Sequence, residues 1–106
     1  MLTKAEIEAL TTEIAAVYNP EKIYLFGSYA KDSANEDSDI DLLIVKQTDE
    51  DFYSRSSSLR SMLSNYPSVP VDLLIYTPDE FSRLYTNVVS MPKEAFNNGK
   101  LLYERA

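Results

Sequence analysis

Two aspartates one residue apart, Asp39 and Asp41, flank Ile40 at the mouth of the apolar run Ile40–Val45. On an extended strand residues i and i+2 point to one face, so both carboxylates face one way while Ile40 turns into the core. Two like charges held that close need cations, or one of them takes up a proton. A third carboxylate, Asp72, stands in the same way at the mouth of the run Val71–Tyr76. Upstream, Gly27-Ser28 closes the run Ile23–Phe26. Glycine lets backbone approach a phosphate closely, and Ser28 can donate its hydroxyl. N–H groups at the start of a following helical turn point at the same oxygens, and Lys31 adds a positive charge nearby. Three carboxylates, Asp39, Asp41 and Asp72, can hold two Mg²⁺ ions that bridge an attacking oxygen and a nucleoside triphosphate.

These residues need a sheet to bring them together. Thr3–Tyr18 reads as an amphipathic helix, with Ile7, Leu10, Ile14 and Val17 at spacings of three and four and a Thr3/Glu6 capping box. Asn19-Pro20 ends it. Ile23–Phe26, Ile40–Val45 and Val71–Tyr76 read as buried strands. The polar stretch Tyr29–Ser38 between the first two holds a helical turn and a loop. Thr48 opens a second helix to about Asn65, with Phe52, Leu59, Met62 and Leu63 as its stripe, broken at Tyr66-Pro67. The serine-rich run Ser54–Ser58 weakens its middle. Thr77-Pro78-Asp79-Glu80 is a helix start. That helix carries Phe81, Leu84, Tyr85 and Val88, is interrupted at Met91-Pro92, and resumes over Lys93–Asn98 before Gly99. Leu101–Tyr103 reads as a short last strand. The fold class is α/β (α+β), a small mixed sheet flanked by helices, with residues 1–106 forming one domain.

Composition narrows the chemistry further. The 106 residues contain no Cys and no His, which removes disulfides, thiolate zinc sites and Ser-His or Cys-His catalysis. A metal here must be held by oxygen, which favours Mg²⁺, Mn²⁺ or Ca²⁺. The net charge of −7 disfavours direct nucleic-acid binding and suits a basic protein partner or bound cations. No stretch has the length of a membrane span or the pattern of a signal peptide, so the expected location is cytoplasmic. A calcium loop starting at Asp37 fails, because its sixth and twelfth positions are Leu42 and Thr48 rather than Gly and Glu. A Walker-type phosphate loop fails for want of G-K-[ST].

The combination is more specific than its parts. GSYAKDSANEDSDIDLLIV resembles the G-S-x(10)-D-x-D signature of the polymerase-β-like nucleotidyltransferase superfamily. VDLLIYTPDEF and GKLLYE resemble the third strand and tail of its minimal nucleotidyltransferases. The resemblance implies the polymerase-β-like fold, with ATP and Mg²⁺ at the carboxylates. It also implies transfer of a nucleoside monophosphate to a hydroxyl, with release of pyrophosphate. By position, Gly27 and Ser28 would hold the triphosphate, Asp39 and Asp41 the metals, and Asp72 would complete the site and activate the hydroxyl. The family often has Ala-Arg-Gly after the serine, where this chain has Ala30-Lys31-Asp32. Lys31 keeps the charge without the arginine fork, and Asp32 adds negative charge along the phosphate path.

Minimal nucleotidyltransferases are commonly paired with HEPN-domain proteins in toxin–antitoxin modules. The resemblance therefore implies an antitoxin that transfers AMP to a tyrosine of a HEPN toxin. Two alternatives stand beside it. One is a binding module that neutralises the toxin by contact alone; the other is a small-molecule nucleotidyltransferase whose acceptor is held by a separate subunit.

Overall fold

In the computed structural model residues 2–65, 70–84 and 99–105 are described. The expected break at 66–67, and the expected continuation, interruption and restart of the last helix over 85–98, lie outside them.

The first helix, α1, spans Lys4–Tyr18. The Thr3 hydroxyl accepts from the Glu6 N–H at 3.1 Å, and the Glu6 carboxylate accepts from the Thr3 N–H at 2.9 Å. These bonds spend two otherwise unpaired groups and hold the Glu6 carboxyl below its ordinary range. Ile7, Leu10 and Ile14 are buried as expected, but Val17 is exposed and Tyr18 takes the next buried position. The core-facing steps are thus three, four and four, which a 3.6-residue repeat satisfies better than a step to 17. Asn19 ends the helix in the left-handed conformation, at φ 50°. The last turn carries no basic residue. Lys46 supplies the charge from outside, donating to the Tyr18 carbonyl at 2.7 Å and lying 5.0 Å from the centre of its ring. A cation at this carbonyl-rich end is favourable.

Four strands form one mixed sheet in the order β3-β2-β1-β4: β1 Lys22–Phe26, β2 Ile40–Val45, β3 Val71–Tyr76 and β4 Lys100–Glu104. β1 is antiparallel to β2 and β4, while β2 and β3 run parallel. β2 is buried on both faces. Ile40, Leu42 and Ile44 join Ile23, Leu25 and the buried stripe of α1. Leu43 and Val45 join Tyr24, Phe26 and Phe81 on the opposite face. There Phe81 of helix α3, Pro78–Leu84, stacks on Tyr24 with ring centres 5.5 Å apart. Among the described residues no helix is long and apolar enough to cross a membrane.

The stretch expected as one helix from Thr48 is different. Residues Phe52–Leu59 form a 3₁₀ segment, and only Arg60–Leu63, α2, is α-helical. The Thr48 hydroxyl accepts from the Glu50 N–H at 3.1 Å within the loop, and the Asp51 side chain caps nothing. Ser54, Ser56, Ser57 and Ser58 are poor helix formers, and a 3₁₀ run this long is uncommon. Arg55 holds it in place. Its guanidinium grips Glu80 through two bonds at 2.6 and 3.2 Å, and also donates to the carbonyls of Ile75 and Glu50 at 3.0 Å each. Glu80 in turn accepts from the Thr77 N–H at 2.8 Å, closing the capping box of α3. One buried arginine therefore ties the 3₁₀ segment to the edge of β3 and to the start of α3.

Arg55 and the Thr77 bond pull the Glu80 carboxyl from 4.5 down to about 2. A depressed carboxyl stabilises the fold fully above its unfolded pKa and stops doing so as pH falls through the folded one. Urea unfolding of the wild type relative to Glu80→Gln should therefore lose about 3 kcal/mol between pH 5 and pH 2, with little change in that difference between pH 5 and pH 8. Arg55→Met, which leaves the carboxylate without its partner, should cost about 3 kcal/mol at pH 7.

Candidate active site

Strand register brings the two strand carboxylates together. Asp41 lies beside Asp72 across the parallel β2–β3 pair and opposite Phe26 across the antiparallel β1–β2 pair. Registered neighbours share a face, so both acids lie on the α3 side of the sheet, with Leu43 and Leu74 further along. Asp41 is half-buried and Asp72 exposed, and their side chains lie close enough to interact. Burial pushes the Asp41 carboxyl up to about 6, and the neighbouring Asp72 carboxyl and the charge of Asp39 add to the rise. Asp39 itself does not lie on the strand. β2 starts at Ile40, and Asp39 is exposed in the loop before it. Its charge reaches Asp41, but among the described residues no three carboxylates are gathered closely enough to grip one ion.

The same end of the sheet is closed by a tight turn. The Ala30 and Lys31 N–H groups both donate to the Gly27 carbonyl at 3.2 Å, and the Ser33 N–H donates to the Ser28 carbonyl at 2.9 Å. This is the expected single helical turn. The N–H groups of Ser28 and Tyr29, at its start, donate to no described residue. Gly27 has φ 74°, and a Cβ built there would meet the Asp41 Oδ2 at 2.3 Å. The glycine thus does two things: it takes a left-handed conformation that strains other residues, and it leaves the space that the Asp41 carboxylate fills.

The residues after Ser28 divide between the two faces. Tyr29 is buried on the α1 side, where its hydroxyl accepts from the Leu2 N–H at 3.1 Å. Lys31 is exposed at the end of the turn. Asp32 is left-handed, at φ 56°. Its carboxylate lies 3.7 Å from Lys100 of β4, in a groove of about 410 Å³ that includes Ile7, Leu25 and Tyr29. Its charge is therefore paired with Lys100, beside the groove on the α1 face. The left-handed backbone also gives a physical reason for the glycine that relatives often carry at this place.

The donor set suits a hard cation. Every available ligand is oxygen, and the neighbouring carboxylates of Asp41 and Asp72 are the kind of pair that a divalent ion can bridge. Arg55 and Glu80, which hold β3 from its far end, were not evident as a pair in the sequence. Only the capping position of Glu80 gave it any prominence.

Residues 8–106 match the family described as polymerase beta, nucleotidyltransferase, and the chain belongs to that family. No curated protein matches it. Among solved structures, a chain of a toxin–antitoxin complex with AMP-PNP superposes with a TM-score of 0.64 at 22% identity, covering 92% of this chain and 73% of the other. A nucleotidyltransferase from Sulfolobus solfataricus, itself described as putative, gives 0.61 at 22% identity, with coverage of 93% and 78%. A chain from the complex of a tri-AMPylated Shewanella oneidensis HEPN toxin with its MNT antitoxin gives 0.57 at 20% identity, with coverage of 92% and 72%. The fold shared with these is the small mixed sheet flanked by helices.

Substitutions at Gly27, Asp41 and Asp32 test this geometry through stability alone. Gly27→Ala should destabilise by about 2 kcal/mol or more, combining left-handed strain with the carboxylate clash. In an Asp41→Ala background the cost should fall to the strain alone, about 1 kcal/mol; an equal cost in both backgrounds would show that the Asp41 carboxylate does not need that space. Asp32→Gly should be neutral or stabilising by up to about 1 kcal/mol and Asp32→Val destabilising by about 1–2 kcal/mol, measured by urea unfolding.

Proposed function

We propose that this protein is a Mg²⁺-dependent nucleotidyltransferase that moves AMP from ATP to a tyrosine hydroxyl of a HEPN-domain toxin, and so acts as its antitoxin. The observation that carries the reading is the Asp41–Asp72 pair, half-buried and exposed respectively and set side by side by strand register at the turn of Gly27 and Ser28, in a chain of the polymerase beta nucleotidyltransferase family. The partner class is supported by the shared fold with chains of the two toxin–antitoxin complexes, one solved with AMP-PNP and one with a tri-AMPylated HEPN toxin.

In this reading the Ser28 hydroxyl and the N–H groups of Ser28 and Tyr29 hold the triphosphate, with Lys31 as a nearby positive charge. Asp39, Asp41 and Asp72 would hold Mg²⁺. The ions would neutralise charge on the attacking and leaving oxygens. The Asp72 carboxylate takes the proton of the incoming hydroxyl as its oxygen bonds to the α-phosphorus. The bond from that phosphorus to the bridging oxygen breaks, and pyrophosphate leaves.

The test is the intact mass of the HEPN partner after incubation with this protein, ATP and Mg²⁺. The partner should gain AMP. Asp41→Ala and Asp39→Ala should each slow the gain by at least about a hundredfold, and Asp72→Asn should abolish it while leaving the unfolding transition in place. Full protection from the toxin by the Asp39→Ala/Asp41→Ala double variant, with no change of mass, would establish neutralisation by contact instead.

A further inference from the structure

The outer edge of β3 lies beside the carboxylate pair. Among the described residues β3 is the last strand on its side of the sheet. The carbonyls of Pro70 and Tyr76 accept from Ile40 and Lys46 on the β2 side. Backbone groups alternate in direction along a strand, so residues 71, 73 and 75 direct theirs outward. Arg55 takes the Ile75 carbonyl. Among the described residues, none pairs with the outward groups of Val71 and Leu73. Two grooves run along this short open length of the strand edge. One, of about 230 Å³, includes Phe52, Ser56, Leu73 and Ile75; the other, of about 300 Å³, includes Arg60, Leu63 and Val71.

We infer that the acceptor protein docks as an extended segment added to the outer edge of β3, with its hydroxyl residue beside Asp72. This rests on the transfer reading above and says how its protein substrate is presented. The geometry is specific. A residue opposite Asp72 shares its face, with Cβ atoms about 5 Å apart, so its side chain rises next to the Asp41–Asp72 pair. Its two neighbours point the other way. They face the grooves at Leu73 and Val71, which suit apolar side chains, and their N–H and C=O groups meet those of Leu73 and Val71. An antiparallel addition is the more stable over so short a length. Arg55 caps the edge at Ile75 and so sets where the added segment stops. The Glu50 carbonyl bonds to Arg55 at 3.0 Å, which brings the exposed acids Asp49, Glu50 and Asp51 to this end of the edge. A net charge of −7 adds to the pull on a positive segment. The occupant is then a basic residue, an apolar residue, the acceptor tyrosine and a second apolar residue, in that order.

The full chain, ATP and Mg²⁺ are incubated with the peptide acetyl-Lys-Val-Tyr-Leu-Ser-amide, and in parallel with the folded HEPN partner, and both are weighed. The peptide should gain one AMP. N-methylation of both residues flanking the tyrosine removes the two donors that meet β3 and should slow labelling at least about tenfold. N-methylation of the tyrosine itself, whose N–H points away from β3, should leave the rate unchanged. Labelling of the partner with none of the peptide, or undiminished labelling of the flank-methylated peptide, overturns the edge-docking inference and leaves the transfer reading standing. If neither the partner nor the peptide gains AMP, the transfer reading falls and the docking falls with it.

Discussion

The parallel register of β2 and β3 is the constraint on which the candidate site depends. It sets the half-buried Asp41 against the exposed Asp72. Such a pair is unfavourable for folding by itself, because the two like charges repel and partial burial of Asp41 adds to the cost of ionising it. The sheet compensates on its other positions. β2 is buried on both faces over Leu42, Leu43, Ile44 and Val45, so its register is fixed by apolar side chains that cannot slip by one without exchanging faces. The acids are held by packing that does not involve them.

Gly27 and Arg55 show the same division from two ends. Gly27 gives room to the Asp41 carboxylate at the turn, and Arg55 fastens β3 and α3 at the opposite end of the sheet. Neither depends on the nature of the ligand. The α1 face carries the larger core, whereas the α3 face carries both acids and a smaller cluster around Phe81. In the proposed reaction the second face does the chemistry and the first supplies the rigidity.

Much of this was legible in the sequence. The strands and α1 follow from apolar runs and periodicity; G-S-x(10)-D-x-D pointed to Asp39 and Asp41, and the mouth of the third apolar run to Asp72, because acids at strand mouths are costly unless used. The departures have local causes. Val17 matched the spacing but lies to one side of the buried stripe. The serines of 54–58 lowered helix propensity enough for a tertiary contact to Arg55 to select 3₁₀ geometry. Asp39 is two residues from Asp41, but the strand begins between them, so the alternation rule did not extend to it. The direction of Asp32 depends on a left-handed φ and on Lys100, sixty-eight residues away in sequence (100 minus 32), which no short window contains. The Arg55–Glu80 pair was hidden for the same reason.

The grip of Arg55 also bears on the order of folding. A 3₁₀ segment rich in serine has little stability of its own, and its anchoring partners, Ile75 and Glu80, come later in the chain. The segment can settle only after β3 has joined β2 and α3 has started. It is thus a late and separable unit of the structure, opening at lower free energy than the sheet it covers. Motion there would reshape the groove beside Leu73 and Ile75 while the Asp41–Asp72 register stays intact. A protein built this way can adjust its outer edge without loosening its centre.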